Sequence, residues 1–132
     1  MPTTDPIADF LVRIRNALRV RKPSVDIPFS QMKSDLARVL MDCNFIHDYV
    51  HVDEGPQGYI RVYLKYTPQG EAAIKGLRRI SKPGLRRYVG QRQIPRVFNG
   101  LGVSILTTSR GIMTGNQARK EGLGGEVIAE IW

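Results

Sequence analysis

Cysteine is almost absent from this sequence: Cys43 stands alone. A single thiol excludes an internal disulfide and any zinc cluster built on cysteines, and agrees with a reducing compartment. Its expected role is buried filler. Histidine is nearly as scarce, with only His47 and His51. Histidines four apart share one face of a helix, but "FIHDYVHV" reads as a strand. There four residues span about 13 Å at about 3.3 Å each, too far for one ion to bridge. No third ligand stands at suitable spacing, so neither a metal nor another cofactor is expected. Long hydrophobic runs are also missing. No stretch approaches the roughly 20 apolar residues that cross a bilayer, and the first residues, with Asp5 and Asp9 flanking a short apolar patch, do not read as a secretory signal. The expectation is a cytoplasmic protein that makes no membrane contact.

The parts of an active site are lacking too. Ser109 and its neighbouring threonines have no histidine within reach by sequence, and neither histidine sits near a glycine-rich elbow. No Lys-Ser or Lys-Thr pair follows the glycines, so the loop that cradles nucleotide phosphates is absent. Glu126 and Glu130, read on a strand, are again about 13 Å apart. The chain is not expected to be an enzyme.

Acidic residues run short in one half only. Residues 1–60 hold seven Lys and Arg against eight Asp and Glu, net −1, whereas residues 61–132 hold thirteen against four, net +9. A surplus concentrated in this way favours a polyanionic partner, because each cation that neutralises a phosphate releases condensed counterions. The plainer alternative is a solubilising basic surface.

What is present suffices for a core: 132 residues, 42% of them hydrophobic, allow one ordinary domain or two small ones. In "TDPIADFLVRIRNALRV", Asp5 can cap a helix whose first residue is Pro6, and Ile7, Leu11, Ile14 and Leu18 form one apolar stripe. Arg13, Arg15, Asn16 and Arg19 fall off that stripe, as a solvated face does. "SVDIPF" is extended. Ser30 can cap a second helix with Met32, Leu36, Val39, Leu40 and Cys43 on one side, and Asn44, tolerant of a left-handed conformation, can end it. "FIHDYVHV" and "YIRVYLKY" read as strands of a hairpin through "DEGPQG". "TPQGE" reads as a hinge.

Beyond the hinge, "AIKGLRRI" and "LRRYV" read as strands joined through "SKPG", with Pro83 and Gly84 suited to the centre of a type II turn. "IPRVFNG" reads as one helical turn started by Pro95, and "GVSILTTS" as a strand. Thr114 and Gln117 are spaced as a capping box for a short helix that Gly122 ends, and "GEVIAEIW" is a last strand. The expected fold class is α+β in two small domains: an α-β-α-β-β unit at 1–66 and a mainly antiparallel β domain with short helices at 67–132.

Three features bear on binding. "KGLRRISKPGLRRYVGQRQIPR" is rich in Lys and Arg, lacks any acid and embeds Tyr88. Guanidinium groups suit phosphate, and a tyrosine face can stack on a base or sugar, although strand residues that simply turn Arg to water and Leu77, Ile80 and Val89 inward account for part of the pattern. Tyr59, Arg61, Tyr63 and Lys65 share one face of a strand. They resemble an aromatic platform for single-stranded RNA, but half-exposed tyrosines are common on strands, and a packing surface is the better reading. Last, "TTSRG" at 107–111 offers hydroxyls that both donate and accept, followed by a cation, with glycines at 111, 122, 124 and 125 that admit another backbone. Such groups suit ribose 2′-OH and base edges in the shallow groove of RNA. Ordinary strand and turn roles compete for these threonines and this serine.

The stretches "DPIADFLVRIRNA", "LRRISKPGLRRY", "IPRVFNGLGVSILTTSRGIMT" and "ARKEGLGGEVIAEIW" together closely resemble the family of the eighth protein of the bacterial small ribosomal subunit, over nearly the whole chain. The resemblance implies a carboxyl-terminal domain that is the principal RNA reader. It implies binding to a helical, locally irregular segment of the central domain of small-subunit ribosomal RNA early in assembly, as a monomer within the subunit. It further implies the neighbouring fifth protein as a partner, and repression of the protein's own messenger RNA. The family's Ser-Thr-Ser-Lys-Gly loop matches Thr107, Thr108, Ser109, Arg110 and Gly111, with Thr for Ser and Arg for Lys. By the same correspondence Tyr88 stacks on ribose or base, and Lys82, Arg86 and Arg87 meet phosphates. Gly122, Gly124, Gly125 and Glu126 lie against RNA, and Arg15 and Asn16 face it from the amino-terminal domain. The rivals are a free-standing translational repressor or RNA chaperone, a basic protein-interaction module, and an RNA-modifying enzyme, for which no cofactor motif is visible.

Overall fold

Asp5 starts the first helix: its carboxylate accepts from the Ala8 N–H at 3.1 Å, and Pro6 follows as the first residue of α1, Pro6–Arg19. Ile7, Phe10, Leu11, Ile14 and Ala17 are buried, so the stripe read from the sequence faces the core, while Leu18 is only half-buried. After β1, Ser24–Pro28, the Ser30 hydroxyl accepts from the Lys33 N–H at 3.1 Å and opens α2, Gln31–Asp42. Asn44 ends it with φ +63°, a left-handed residue of the kind that closes helices. Cys43 corrects the expectation of buried filler, because it caps the end of α2 and is only half-buried there. The antiparallel strands β2, Ile46–Val52, and β3, Tyr59–Leu64, complete a three-stranded sheet in the order β1-β3-β2.

The computed structural model describes residues 5–97 and 100–132. Its contacts divide the chain into the compact units Met1–Ile74 and Lys75–Trp132. The segment 67–74, expected in the second domain, thus belongs to the first. The physical reason is hydrogen bonding: "TPQGE" is a closed turn, with Gly70 N–H to Thr67 O at 2.8 Å and Thr67 N–H to Glu71 O at 2.7 Å, and Ala73 N–H then returns to Lys65 O at 2.8 Å. Arg21 also donates to the Gly70 carbonyl.

On β3, Ile60, Val62 and Leu64 are buried and Tyr59, Arg61 and Tyr63 are half-exposed on the other face. Arg61 pairs at 2.9 Å with Asp26, its direct neighbour in register on β1, and lies 5.6 Å from the centre of the Tyr59 ring. These residues thus contact one another within the amino-terminal unit.

The second unit is a five-stranded antiparallel sheet, made of β4, Leu77–Arg79, β5, Tyr88–Val89, β6, Val103–Thr108, β7, Gly111–Thr114, and β8, Gly125–Ile131. β8 runs through the middle. It pairs with β6 along one edge, and along the other with β4 at residues 129–131 and β5 at 125–126. The strands expected to meet through "SKPG" therefore share a partner, since both spend their hydrogen bonds on β8. A turn does form at 82–85, with Leu85 N–H to Lys82 O at 2.9 Å, but Gly84 lacks the positive φ that a type II turn demands. β7 has no counterpart in the sequence reading.

α3, Gly115–Lys120, is capped by the Thr114 hydroxyl, which accepts from the Gln117 N–H at 3.1 Å. Leu106, Met113 and Val127, adjacent in register, pack with Ala118 and Ile94 into a core. Ile94, Pro95 and Arg96 are irregular rather than helical, Gly100 N–H donates to the Val97 carbonyl at 3.0 Å, and Phe98 and Asn99, also part of the expected turn, lie outside the described residues. Among the described residues, no helix is long and apolar enough to cross a membrane.

Candidate nucleic-acid interface

Register brings three distant stretches to one end of the second sheet. Tyr88 on β5 is opposite Glu126 on β8, and Glu126 is opposite Thr107 on β6. The strands can cross so closely because of "GLGGE". A Cβ on Gly125 would run into the Thr107 carbonyl, and one on Gly124 into the Val89 carbonyl and, at 2.9 Å, the Gly90 Cα. The backbone these glycines admit is the chain's own. Gly111 and Gly122 differ: open space surrounds both, and their φ values of +106° and +70° explain the residue type.

From this row β6 and β7 run out to a hairpin tip at residues 108–111, with Thr108 paired to Gly111. The Thr108 hydroxyl is used inside the turn, donating to the Gly111 carbonyl at 2.8 Å and accepting from the Arg110 N–H at 3.1 Å. Thr107 is half-buried, whereas Ser109, Arg110 and Gly111 are exposed. Arg110 reaches Glu121, just past α3, at 3.1 Å. Gln117 also donates to Glu121, and the two hydrogen bonds, that from Gln117 foremost, hold its carboxyl below the usual glutamate value.

Opposite the hairpin stands the cationic arm. Residues 82–88 are all exposed, and Tyr88 keeps 70% of its surface open, which fits a stacking face better than a partly buried strand residue. Among the described residues, the Lys82 ammonium and the Arg87 guanidinium have no protein partner, and Arg86 meets Glu126 at 3.0 Å. Glu126 is turned inward, with a side chain 13% exposed, and accepts from Ser81 at 2.6 Å. Burial pushes its carboxyl up, but Ser81, Arg86 and the charge of Arg79 outweigh burial and leave it below the ordinary value. Both carboxylates of the cluster are therefore ionised at neutral pH and poorly suited to deliver protons.

What the arrangement can do is bind. It presents free cations for phosphate, an open ring for stacking, and hydroxyls on a fixed hairpin for ribose and base edges. Arg15 and Asn16 lie in the other unit, on the exposed side of α1. Ser81 and Glu121 are the members that sequence reading missed. A serine beside a Pro-Gly turn looks like any turn former, and nothing local marks it as fully buried.

The family model described as ribosomal protein S8 matches residues 5–132. The chain is similar to the small ribosomal subunit protein uS8 of Clostridioides difficile (strain 630), 54% identical over 132 residues that cover all of both chains. It is also similar to that of Koribacter versatilis (strain Ellin345), 55% identical over 130 residues, 98% of each chain. The same protein of Geobacillus kaustophilus (strain HTA426) is 52% identical over the full length of both.

Proposed function

The chain belongs to the ribosomal protein S8 family, and we propose that it holds small-subunit ribosomal RNA against the β5-β8-β6 end of its carboxyl-terminal sheet. It is a structural, non-catalytic RNA-binding component of the small ribosomal subunit, and its working place is the ribosome of the cytoplasm. One observation carries the choice of surface: Tyr88, Glu126 and Thr107 come from three separate stretches and stand side by side, flanked by the exposed residues 82–87 and 109–111. In this reading the cations supply affinity and salt sensitivity, while Thr107, Ser109 and Tyr88 supply selectivity for shape.

The RNA is a helical, irregular segment of the central domain, bound early in assembly, and the same surface takes the chain's own messenger where translation is repressed. Arg15 and Asn16 make a second contact from the amino-terminal unit, and the fifth small-subunit protein is a neighbour. Glu126, an acceptor-only group facing Ser81 and Arg86, serves this surface from beneath.

Chemical footprinting of small-subunit RNA with the purified protein tests the reading, combined with binding of variants. Ser109→Ala is expected to weaken binding to the protected RNA by about two- to tenfold, one hydrogen bond of about 0.5–1.5 kcal/mol, with little change for duplex RNA of random sequence. Arg86→Ala is expected to weaken both. Equal losses for the two RNAs with Ser109→Ala would contradict the assignment, as would binding to acidic protein partners that survives nuclease treatment.

A further inference from the structure

We propose that Ser81 is the positioning residue of the RNA-binding arm: it sets where Arg86 and Arg87 stand without itself touching RNA. This rests on the reading that the arm meets phosphate. Ser81 is fully buried, and each of its polar groups is used. Its N–H donates to the Val127 carbonyl at 3.1 Å, and its carbonyl accepts from the Arg79 side chain. Its hydroxyl accepts from the Arg87 N–H at 2.9 Å and donates to Glu126 Oε2 at 2.6 Å. Val127 closes the figure, because its own N–H donates to the Arg87 carbonyl at 2.9 Å.

Both feet of the arm, residues 81 and 87, are thus clamped to one residue of β8, and the Ser81 hydroxyl ties the feet to each other. Between them the mutual hydrogen bonds of Lys82 and Leu85, at 3.0 and 2.9 Å, fold the arm into a closed loop. The polarity of the chain is fixed. A carboxylate can only accept, so the serine proton points to Glu126 and its lone pair faces the Arg87 amide. The same carboxylate oxygen takes the Arg86 guanidinium at 3.0 Å. One buried hydroxyl thereby sets the backbone at 87 and, through Glu126, the side chain at 86. A phosphate-binding arm held in place loses less freedom on binding than a loose one, which is how a group remote from the ligand raises affinity.

Truncation to Ser81→Ala leaves every charge in place, which separates position from charge. The test is a salt titration of full-length protein on the footprinted ribosomal segment and on a scrambled RNA, for wild type and Ser81→Ala. Expected is a loss of about tenfold or more on the native segment, with a log–log salt slope shallower by about 1–2, since each phosphate contact on a duplex contributes about 0.9. A serine that only stabilised the fold would lower affinity by one factor at all salt concentrations. An unchanged slope in Ser81→Ala overturns the proposal.

Where circular dichroism shows Ser81→Ala unfolded, Glu126→Gln decides. That side chain keeps an acceptor for Ser81 but loses the charge that fixes Arg86. Weaker native binding despite the loss of a negative charge supports positioning, and tighter or unchanged binding overturns it. Absence of any preference in the wild type would instead refute the functional reading itself.

Discussion

Thr108 and Ser109 carry the same functional group one residue apart, yet the first hydroxyl is consumed by its own turn while the second stands exposed. The sequence shows a run of hydroxyls, and only the hairpin tells which is available. Asp9 is a second case of a residue whose role depends on its partners. It bonds the buried Lys33 ammonium at 2.6 Å and Arg13 at 3.0 Å. Burial alone would raise its carboxyl, but Lys33 and Arg13 outweigh that and hold it below the usual aspartate value. The folded form therefore takes up a proton less readily than the unfolded chain. The stabilisation is fully present above the ordinary aspartate range and is lost as pH falls through the lowered value. In chemical unfolding from neutral to acid pH, Asp9→Asn should cost about 1.5–3 kcal/mol at neutral pH, typical of hydrogen bonds to a charged group, and should flatten the acid decline. An unchanged pH profile would remove Asp9 from that role.

Helices and short strands differ in how much of them the sequence reveals. α1 and α2 were legible because caps at Asp5 and Ser30 and apolar residues at helical spacing agree with each other. β7 was not, since Ile112 and Met113 are only two apolar residues between turn formers, and their strand exists through pairing with β6. β4 and β5 read as strands from the sequence, but their common partner β8 is set by non-local register, which no local period encodes. "TPQGE" has the composition of a hinge and the hydrogen bonds of a closed turn. β5 itself depends on Gly124: a methyl there meets backbone of Val89 and Gly90, which cannot rotate away. Gly124→Ala should lower the melting temperature by several degrees, about 1–3 kcal/mol for overpacking, and weaken RNA binding by separating Tyr88 from β8. Wild-type stability and affinity together would show that β5 yields freely.

Across the whole molecule, charge placed the partner class: a carboxyl-terminal half carrying thirteen cations against four acids reads as a surface for polyanions before any fold is known. The resemblance supplied the names of the residues proposed to meet RNA, and register explains why stretches around residues 88, 107 and 126 form one surface. Buried links such as Ser81 to Glu126 left no trace in composition or spacing, because a hydroxyl and a carboxylate 45 positions apart meet only after the sheet is built. The most direct measurement is competition binding of the full-length chain to its small-subunit RNA segment against a scrambled RNA of equal length, from low to moderate ionic strength. Binding to both should weaken steeply as salt rises, while preference for the native segment persists after the charge contribution is screened. Indistinguishable binding to the two RNAs at every salt concentration would contradict recognition by this surface and leave only a basic protein adhering to polyanions.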